Sequence, residues 1–214
     1  MPLSGVSRFS GQISVEVEYA ESNLNGDFGA GFIGVLKEHP CAHVFGWSRR
    51  PLSSGSQQVH ANHLAQVPSR IACPELASVA SHGIAAWQGL RDVGYVRPGQ
   101  SVRITQPNSV LGKLALQLAG ALGAEVIPDP TVACDVILDA ERVLPTEQVV
   151  TGLRPSGKYL VGARWWLIPG LCWMAAVPGK PAVRRLPHCA NRIDLEDLGE
   201  LVARRIIKLD GLLA

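Results

Sequence analysis

The sequence has few charged residues, few aromatic residues and no strong charge of either sign, and each shortage excludes a class of protein. Charged residues make up 18% and aromatic residues 6% of its 214 positions, against 47% apolar residues. This balance is typical of a globular chain that can bury a core, and it excludes a disordered one. The net charge is only +2, and the Lys and Arg residues are scattered. We therefore expect no binding to nucleic acid.

Cysteine is also scarce, and the sequence has no long hydrophobic run. Five widely spaced cysteines form no CxxC motif, namely Cys41, Cys73, Cys134, Cys172 and Cys189. Their odd number predicts free thiols and a cytoplasmic location. The most apolar late stretch, residues 165–177, is interrupted by Pro169 and Gly170 and is too short to span a bilayer. Residues 1–12 lack the apolar core of a signal peptide, so we expect no membrane partner.

Residues that could bind a metal ion are concentrated in one short stretch. Residues 38–43, EHPCAH, combine Glu, His and Cys, which are zinc ligands. They fall on a predicted turn between two strands, where polar residues are expected in any case. His60 and His63 lie on a predicted strand, where side chains three residues apart point to opposite faces. We therefore predict no metal site.

Hydrophobic periodicity divides the chain near residue 73. Residues 13–20 and 57–67 alternate apolar and polar side chains, and residues 32–36 and 42–47 form two short apolar runs. These patterns predict a β-rich module over residues 1–73, with Val59, Ala61 and Leu64 facing inward. Helical spacing begins at residue 74. The elements predicted beyond it are a helix at 74–90, a strand at 101–105, a helix at 110–122 and strands at 125–127 and 135–138. A turn plus a strand follows at 153–163, and then a helix at 194–209 that Asp194 would cap.

The most informative stretch is residues 102–127, VRITQPNSVLGKLALQLAGALGAEVI. It is typical of the strand, tight turn, helix and second strand that open a dinucleotide-binding fold. In such folds the turn holds a pyrophosphate against backbone N–H groups at the helix N-terminus. Here the turn is QPNSVLG and retains a single glycine, Gly112.

Five motifs in collinear order carry a resemblance to a known family. They are HGIAAWQGL, VRPGQSV, GKLALQLAGALGAEVI, DVILDA and LRPSGKYLVGA, which begin at residues 82, 96, 112, 135 and 153. Together they resemble the medium-chain dehydrogenase/reductase superfamily, and within it the zinc-free enoyl and quinone reductases, including the enoyl reductase domains of polyketide synthases. The resemblance implies an α/β fold: a reduced Rossmann-like parallel sheet over 74–214, preceded by the small N-terminal β-rich module over 1–73.

Three departures from the family pattern bear on cofactor binding. Ser109 and Val110 stand where two glycines usually allow a phosphate to approach. Only residues 128–134 separate the second and third predicted strands, too few for a β-α-β crossover, so the chain looks like a truncated member whose sheet lacks an edge strand. Asp129 follows the second strand and would repel a 2′-phosphate. The region before residue 57 is also shorter than the family's catalytic domain, and the family's GHE zinc signature is absent.

The resemblance implies candidate catalytic residues in the N-terminal half. His82 lies on the helix that faces the cleft in the family fold, where an imidazole can act as acid or base. Tyr19 and Asp27 stand where family members place substrate-facing residues, and either could move a proton α to a carbonyl. Asn25 is a candidate substrate contact. Each of these residues also has a structural alternative, as a helix, turn or surface residue.

Other candidate residues would surround a cofactor or an apolar substrate. Asn108, Ser109 and Gly112 are the candidate cofactor-binding residues of the turn. Trp165 and Trp166 follow the last strand of the motif series, where they could line a substrate cleft or belong to the core.

The sequence supports three functions. The first is a natural-product tailoring enzyme, derived from an enoyl reductase, that cyclises, isomerises or eliminates on an apolar conjugated carbonyl substrate without a nicotinamide cofactor. The second is an enoyl or quinone reductase that uses NADPH or NADH. The third is a non-catalytic binding subunit. The resemblance also implies a homodimer, with residues 183–189 as the candidate contact.

Overall fold

The computed structural model describes residues 11–21, 29–68, 71, 73–162, 169–176, 180–187 and 189–213. The chain forms two compact units, one made of Met1–Ile84 with His188–Ala214 and the other of Ala85–Pro187. The first contains an antiparallel sheet and the second a parallel one, which confirms the predicted α/β class. The division differs from the expected ranges 1–73 and 74–214, since the first helix and the last helix belong with the antiparallel sheet.

The antiparallel sheet has five strands in the order β4-β1-β2-β3-β5. Alternating apolar residues of these strands form a buried cluster that includes Val15, Phe32 and Val44. The strands are β1 Gln12–Ala20, β2 Ala30–Leu36, β3 His39–Ser48, β4 Gly55–His60 and β5 Leu64–Gln66.

The segment 57–67 differs from its prediction as one strand. A 3₁₀ turn, Ala61–His63, separates β4 from β5. The predicted inward residues Val59, Ala61 and Leu64 are nevertheless buried, because the turn redirects the chain without exposing its apolar side chains.

Two helical segments pack on this sheet. Helix α1 (Glu75–Ser78) continues into a π-helical turn (Val79–Gly83), and both contact β2. The contact requires a glycine, since a Cβ on Gly31 would lie 1.7 Å from the carbonyl oxygen of Ala77. Helix α6 (Arg192–Ala203) packs against β5. Its N-cap is Asn191 and not the predicted Asp194: the Asn191 side chain accepts from the Asp194 N–H, and its amide donates back to the Asp194 carboxylate.

The parallel sheet has five strands in the order β10-β9-β8-β6-β7. Strand β6 (Ser101–Ile104) is flanked by β7 on one side and by β8 on the other. After β7 the chain therefore crosses β6, and each later strand is added on the β8 side. The remaining strands are β7 Glu125–Val126, β8 Cys134–Asp139, β9 Leu153–Val161 and β10 Ala182–Arg185. The helices of this unit are α2 Ile84–Gln88, which begins at the boundary and continues as a π turn Gly89–Val93, then α3 Val110–Ala121, α4 Thr146–Gly152 and α5 Pro169–Ala176.

The expected loss of a crossover is confirmed, because β7 has two residues and a loop leads from it directly to β8. Arg103 of β6 forms hydrogen bonds with the backbone of this loop. Its buried guanidinium donates through Nη2 to the carbonyl oxygen of Asp129, 3.0 Å away, and to that of Val132. The Arg103 side chain thus packs beside the short loop that joins β7 to β8.

Candidate functional site

Four side chains of the first unit meet where β1 ends and the first helix packs on the sheet. Glu21 follows β1, and its backbone N–H extends the ladder by donating to the Gly31 carbonyl at 2.9 Å. Its carboxylate accepts hydrogen bonds from Ser78 Oγ at 2.9 Å and from Ser81 Oγ at 2.5 Å. His82 Nδ1 lies 3.0 Å from Ser81 Oγ and 3.5 Å from Glu21 Oε1. We name these four residues the Glu21 cluster.

Helical spacing explains why three members of the cluster share one face. Ser78, Ser81 and His82 stand at positions i, i+3 and i+4, which lie together on a helix surface. The last two belong to the π turn Val79–Gly83, a local widening of the helix that is frequent at functional sites. Gly31 permits the close approach of this helix, so the two serines come within hydrogen-bond distance of the end of β1.

The hydrogen bonds also determine how the imidazole is oriented. Because Ser81 donates its proton to Glu21, its oxygen is free to accept one from His82 Nδ1. The contact is compatible with the tautomer that carries the proton on Nδ1. The side chains of Glu21 and His82 are 14% and 22% exposed, whereas Ser78 and Ser81 are buried. Ser81 is therefore too enclosed to act as a nucleophile.

Tyr19 lies two residues before Glu21 on the same strand. The register of β1 against β2 shifts between Val17 and Tyr19. Val17 is 2% exposed and faces the core, whereas Tyr19 is 36% exposed. The register shift is a β-bulge, and it turns the Tyr19 phenol away from the core. Tyr19 is thus accessible near the end of β1, two residues before Glu21.

Several predicted site residues lie outside the described part of the chain. These are Asn25, Asp27, Trp165 and Trp166. Glu21, Ser78 and Ser81 were missed by the sequence reasoning. The signal that could have indicated Glu21 is its place at the end of an alternating strand directly before a polar, Gly-rich segment.

The predicted phosphate turn lies in the second unit, between β6 and α3. Ser109 caps α3: its Oγ accepts from the Gly112 N–H and donates to the Gln106 carbonyl, both at 3.0 Å. A Cβ on Gly112 would lie 1.8 Å from that same carbonyl oxygen. Gly112 is therefore required for close packing of the helix against the turn, and Ser109 uses its hydroxyl within the turn. Asn108 is exposed.

A polar bridge spans the carboxyl ends of β6 and β8, the edge where ligands bind in open parallel sheets. Gln106 Nε2 donates to Glu141 Oε2 at 2.7 Å. Beneath it, the buried Asp139 accepts from Thr105 Oγ1 at 2.9 Å and from Tyr159 OH at 2.6 Å. Burial and this hydrogen bond raise the pKa of Tyr159 far above its ordinary value. The recess behind the bridge, lined by Ile104, Ser109, Gly112 and Leu138 among others, has no room for a water molecule.

The turn before α3 differs from a turn that holds a pyrophosphate. A pyrophosphate needs open space and free N–H groups at the helix N-terminus, whereas this recess is too small for a water molecule and Ser109 occupies the Gly112 N–H. Two anions also flank the edge. Glu141 lies on the bridge, and Asp129 follows β7 with a pKa lowered by its hydrogen bonds from Thr131.

The histidine pair of the 3₁₀ turn differs from its prediction. The ring centroids of His60 and His63 are 5.7 Å apart, because positions i and i+3 share a face on this turn, unlike on a strand. His60 Nδ1 accepts from the Asn62 N–H. Across the described residues no group of three or more His, Cys, Asp or Glu side chains could hold a metal ion. Nor does any described helix have the length and apolar character needed to cross a membrane.

No protein-family model matches the chain. Curated relatives match parts of it. Alcohol dehydrogenase 1 of Neurospora crassa is 32% identical over 132 residues, which cover 58% of this chain and 37% of the relative. Quinone oxidoreductase-like protein 1 of Mus musculus is 36% identical over 70 residues, which cover 33% of this chain and 20% of the relative. The matches thus span well under two thirds of these relatives.

Solved structures match nearly all of the chain. The quinone oxidoreductase from Coxiella burnetii superposes with a TM-score of 0.76 at 17% identity, covering 92% of this chain and 80% of its own. The JamJ enoyl reductase superposes with a TM-score of 0.75 at 14% identity, covering 92% and 81%. The fold is that of the medium-chain dehydrogenase/reductase superfamily. This confirms the fold that the five motifs predicted. In this superfamily fold the chain keeps the parallel sheet and loses a crossover from it.

Proposed function

We propose that the chain is an enzyme that moves a proton on a conjugated carbonyl substrate without a nicotinamide cofactor. The observation that carries the proposal is the Glu21 cluster, in which a partly exposed imidazole is oriented by a hydroxyl and a carboxylate. Such a hydrogen-bonded base is the arrangement that general acid–base catalysis requires.

His82 is the proposed catalytic base. Its Nε2 takes a proton from the carbon γ to an enone carbonyl, and the same nitrogen returns the proton at the α carbon. The double bond moves, and no electrons leave or enter the substrate. The Glu21 carboxylate stabilises the imidazolium formed between the two steps, both directly and through Ser81. Isomerisation is the simplest outcome, and cyclisation or elimination would use the same proton removal.

Tyr19 is the proposed donor to the carbonyl oxygen, because its exposed phenol lies near the end of β1, two residues before Glu21. A hydrogen bond there would stabilise the charge that develops as the proton leaves. Asp27 stays a second candidate acid, and Asn25, Trp165 and Trp166 stay candidate substrate contacts.

The substrate class is taken from the structural relatives. Their names identify a quinone oxidoreductase and an enoyl reductase, and quinones and enoyl groups are both conjugated carbonyl compounds. We propose natural-product tailoring as the setting of the reaction. The small recess between β6 and β8, with Ser109 bonded to the Gly112 N–H, is the observation that favours chemistry without nicotinamide.

The test is proton exchange in D₂O, read by NMR, with simple enones that carry γ hydrogens and with no nucleotide added. The unchanged chain should incorporate deuterium at the α and γ carbons. His82→Gln should slow the exchange about 10²- to 10⁴-fold, the usual range for removal of a general base. His43→Gln, which alters an exposed histidine of β3, is the matched control and should exchange normally. Exchange that survives in His82→Gln would overturn the proposal.

A second candidate is an enoyl or quinone reductase that uses NADPH or NADH. It is favoured by one specific observation: α3 follows β6 after a short turn, residues 105–109, which is the strand-turn-helix order of dinucleotide-binding folds. This candidate predicts loss of NADPH absorbance when an enone is added, with the double bond reduced and not moved.

A further inference from the structure

Three cationic side chains of the second unit carry charges that act on one another beside strands β9 and β10. They are Arg97, Lys158 and Arg184, and we name them the cationic cluster. Lys158 and Arg184 belong to the neighbouring strands β9 and β10. Since Lys158 pairs with Ala182 and Leu160 pairs with Arg184, both side chains project from the same face of the sheet.

Lys158 is held in place by the segment that follows the second π turn. Its ammonium donates to the Gly94 carbonyl at 2.7 Å and lies 4.6 Å from the centre of the Tyr95 ring. Tyr95 has a left-handed backbone, with φ of 51°, and is 58% exposed. That conformation is uncommon for a tyrosine. Here it presents one side of an aromatic ring to solvent beside a fixed positive charge.

The cluster has no anionic partner in the described part of the chain. Lys158 donates to a backbone carbonyl, and so does Arg184, whose Nη1 is 3.0 Å from the Val183 oxygen. The Arg97 backbone N–H donates to Gln100 Oε1, while its guanidinium makes no ion pair with a described residue. Partial burial, together with the charges of Arg184 and Arg97, lowers the pKa of Lys158. Mutual repulsion of this kind is relieved when an anion binds.

We propose that the cationic cluster binds the phosphate group of a small phosphate monoester whose apolar or aromatic portion rests on Tyr95. A phosphate dianion has three acceptor oxygens, which suit two guanidinium groups and one ammonium group. The exposed Tyr95 ring supplies an apolar contact beside that charge. This site is independent of the Glu21 cluster.

Isothermal titration with inorganic phosphate and with phenyl phosphate tests the proposal. Phenyl phosphate should bind more tightly than phosphate to the unchanged chain. Lys158→Gln and Arg184→Gln should each weaken both ligands about tenfold, because each removes one charge-assisted contact. Tyr95→Ala should abolish the preference for phenyl phosphate and leave phosphate binding nearly unchanged.

Arg204→Gln is the matched control, since it removes one positive charge from a pair with Glu200 at the end of α6. It should leave both affinities unchanged. Melting curves and size-exclusion chromatography check that each variant keeps its fold and association state, and Gln at 158 can still donate to Gly94. Equal weakening in Arg204→Gln and Lys158→Gln would overturn the proposal, as would the lack of saturable binding to the unchanged chain.

Discussion

The hydroxyl of Ser81 donates a 2.5 Å hydrogen bond to the carboxylate of Glu21, although 60 positions separate the two residues. The bond joins the first helix to the end of β1 and orients His82. The Ser81 hydroxyl therefore contributes to the stability of the fold and positions the base of the proposed proton transfer.

Ser81→Ala should lower the free energy of unfolding by about 1.5–3 kcal/mol, since it removes a buried hydrogen bond to a charged group. Ser14→Ala is the control. Its hydroxyl accepts from Gln58 on the exposed side of the sheet, and its loss should change stability by less than about 0.5 kcal/mol. Urea unfolding measures both values. Equal effects would show that the Ser81 hydroxyl contributes nothing beyond a surface contact.

Two glycines of α3 offer a matched pair. Gly112→Ala should destabilise the fold by about 1–3 kcal/mol, because the new methyl would collide with the Gln106 carbonyl 1.8 Å away. Gly120→Ala should stabilise it by about 0.5–1 kcal/mol, since no other part of the described chain comes within 4 Å of the new Cβ and alanine favours a helix. Thermal unfolding distinguishes the two signs. A neutral Gly112→Ala would contradict the close packing of the turn.

His63 makes stability depend on pH. Burial, with smaller contributions from His60 and Arg49, lowers the pKa of His63 in the folded chain. The ordinary pKa of histidine is ~6.5. Just below that pH, His63 is protonated in the unfolded chain but stays neutral in the folded chain. The free energy of unfolding therefore falls as pH decreases from there toward the folded pKa, by at most about 1.4 kcal/mol per pH unit.

His63→Phe keeps a ring beside Trp47, which His63 contacts edge-on, and removes the titrating group. Urea unfolding at pH values from neutral to mildly acidic should therefore show a shallower loss of stability in this variant. His43→Gln should retain the full slope. Parallel pH profiles for the unchanged chain and His63→Phe would show that His63 does not cause the dependence.

Asp139→Asn should destabilise the second unit by about 2–4 kcal/mol. The carboxylate accepts from Thr105, from Tyr159 and from the N–H groups of Val143 and Leu144, and an amide nitrogen in its place would oppose at least one of these donors. Tyr159→Phe, which removes one donor only, should cost less. The ratio of the two losses, measured by thermal unfolding, tests whether Asp139 organises the loop after β8.

The β6-α3-β7 unit could be predicted closely, since leucines at helical spacing identify α3 and the seven-residue gap excludes a crossover. Short elements escaped prediction. Helix α4 has seven residues, too few to establish a period, and the 3₁₀ turn at Ala61–His63 preserves the alternation of its neighbours. The Glu21 cluster escaped for a different reason, because its hydrogen bonds join residues 57 to 60 positions apart.

The central claim, proton transfer without nicotinamide, is tested most directly by titrating the protein with NADH and NADPH while following its melting temperature. The same titration on Lys158→Gln distinguishes binding at a nicotinamide site from binding of a phosphate group at the cationic cluster. We expect no shift in that variant with NADH, which carries no phosphate monoester, up to millimolar concentrations, and a shift with NADPH only at about tenfold higher concentration than in the unchanged chain. A saturable rise with NADH would contradict the claim, since a ligand at a hundredfold excess over its Kd stabilises the native state by about 2.7 kcal/mol.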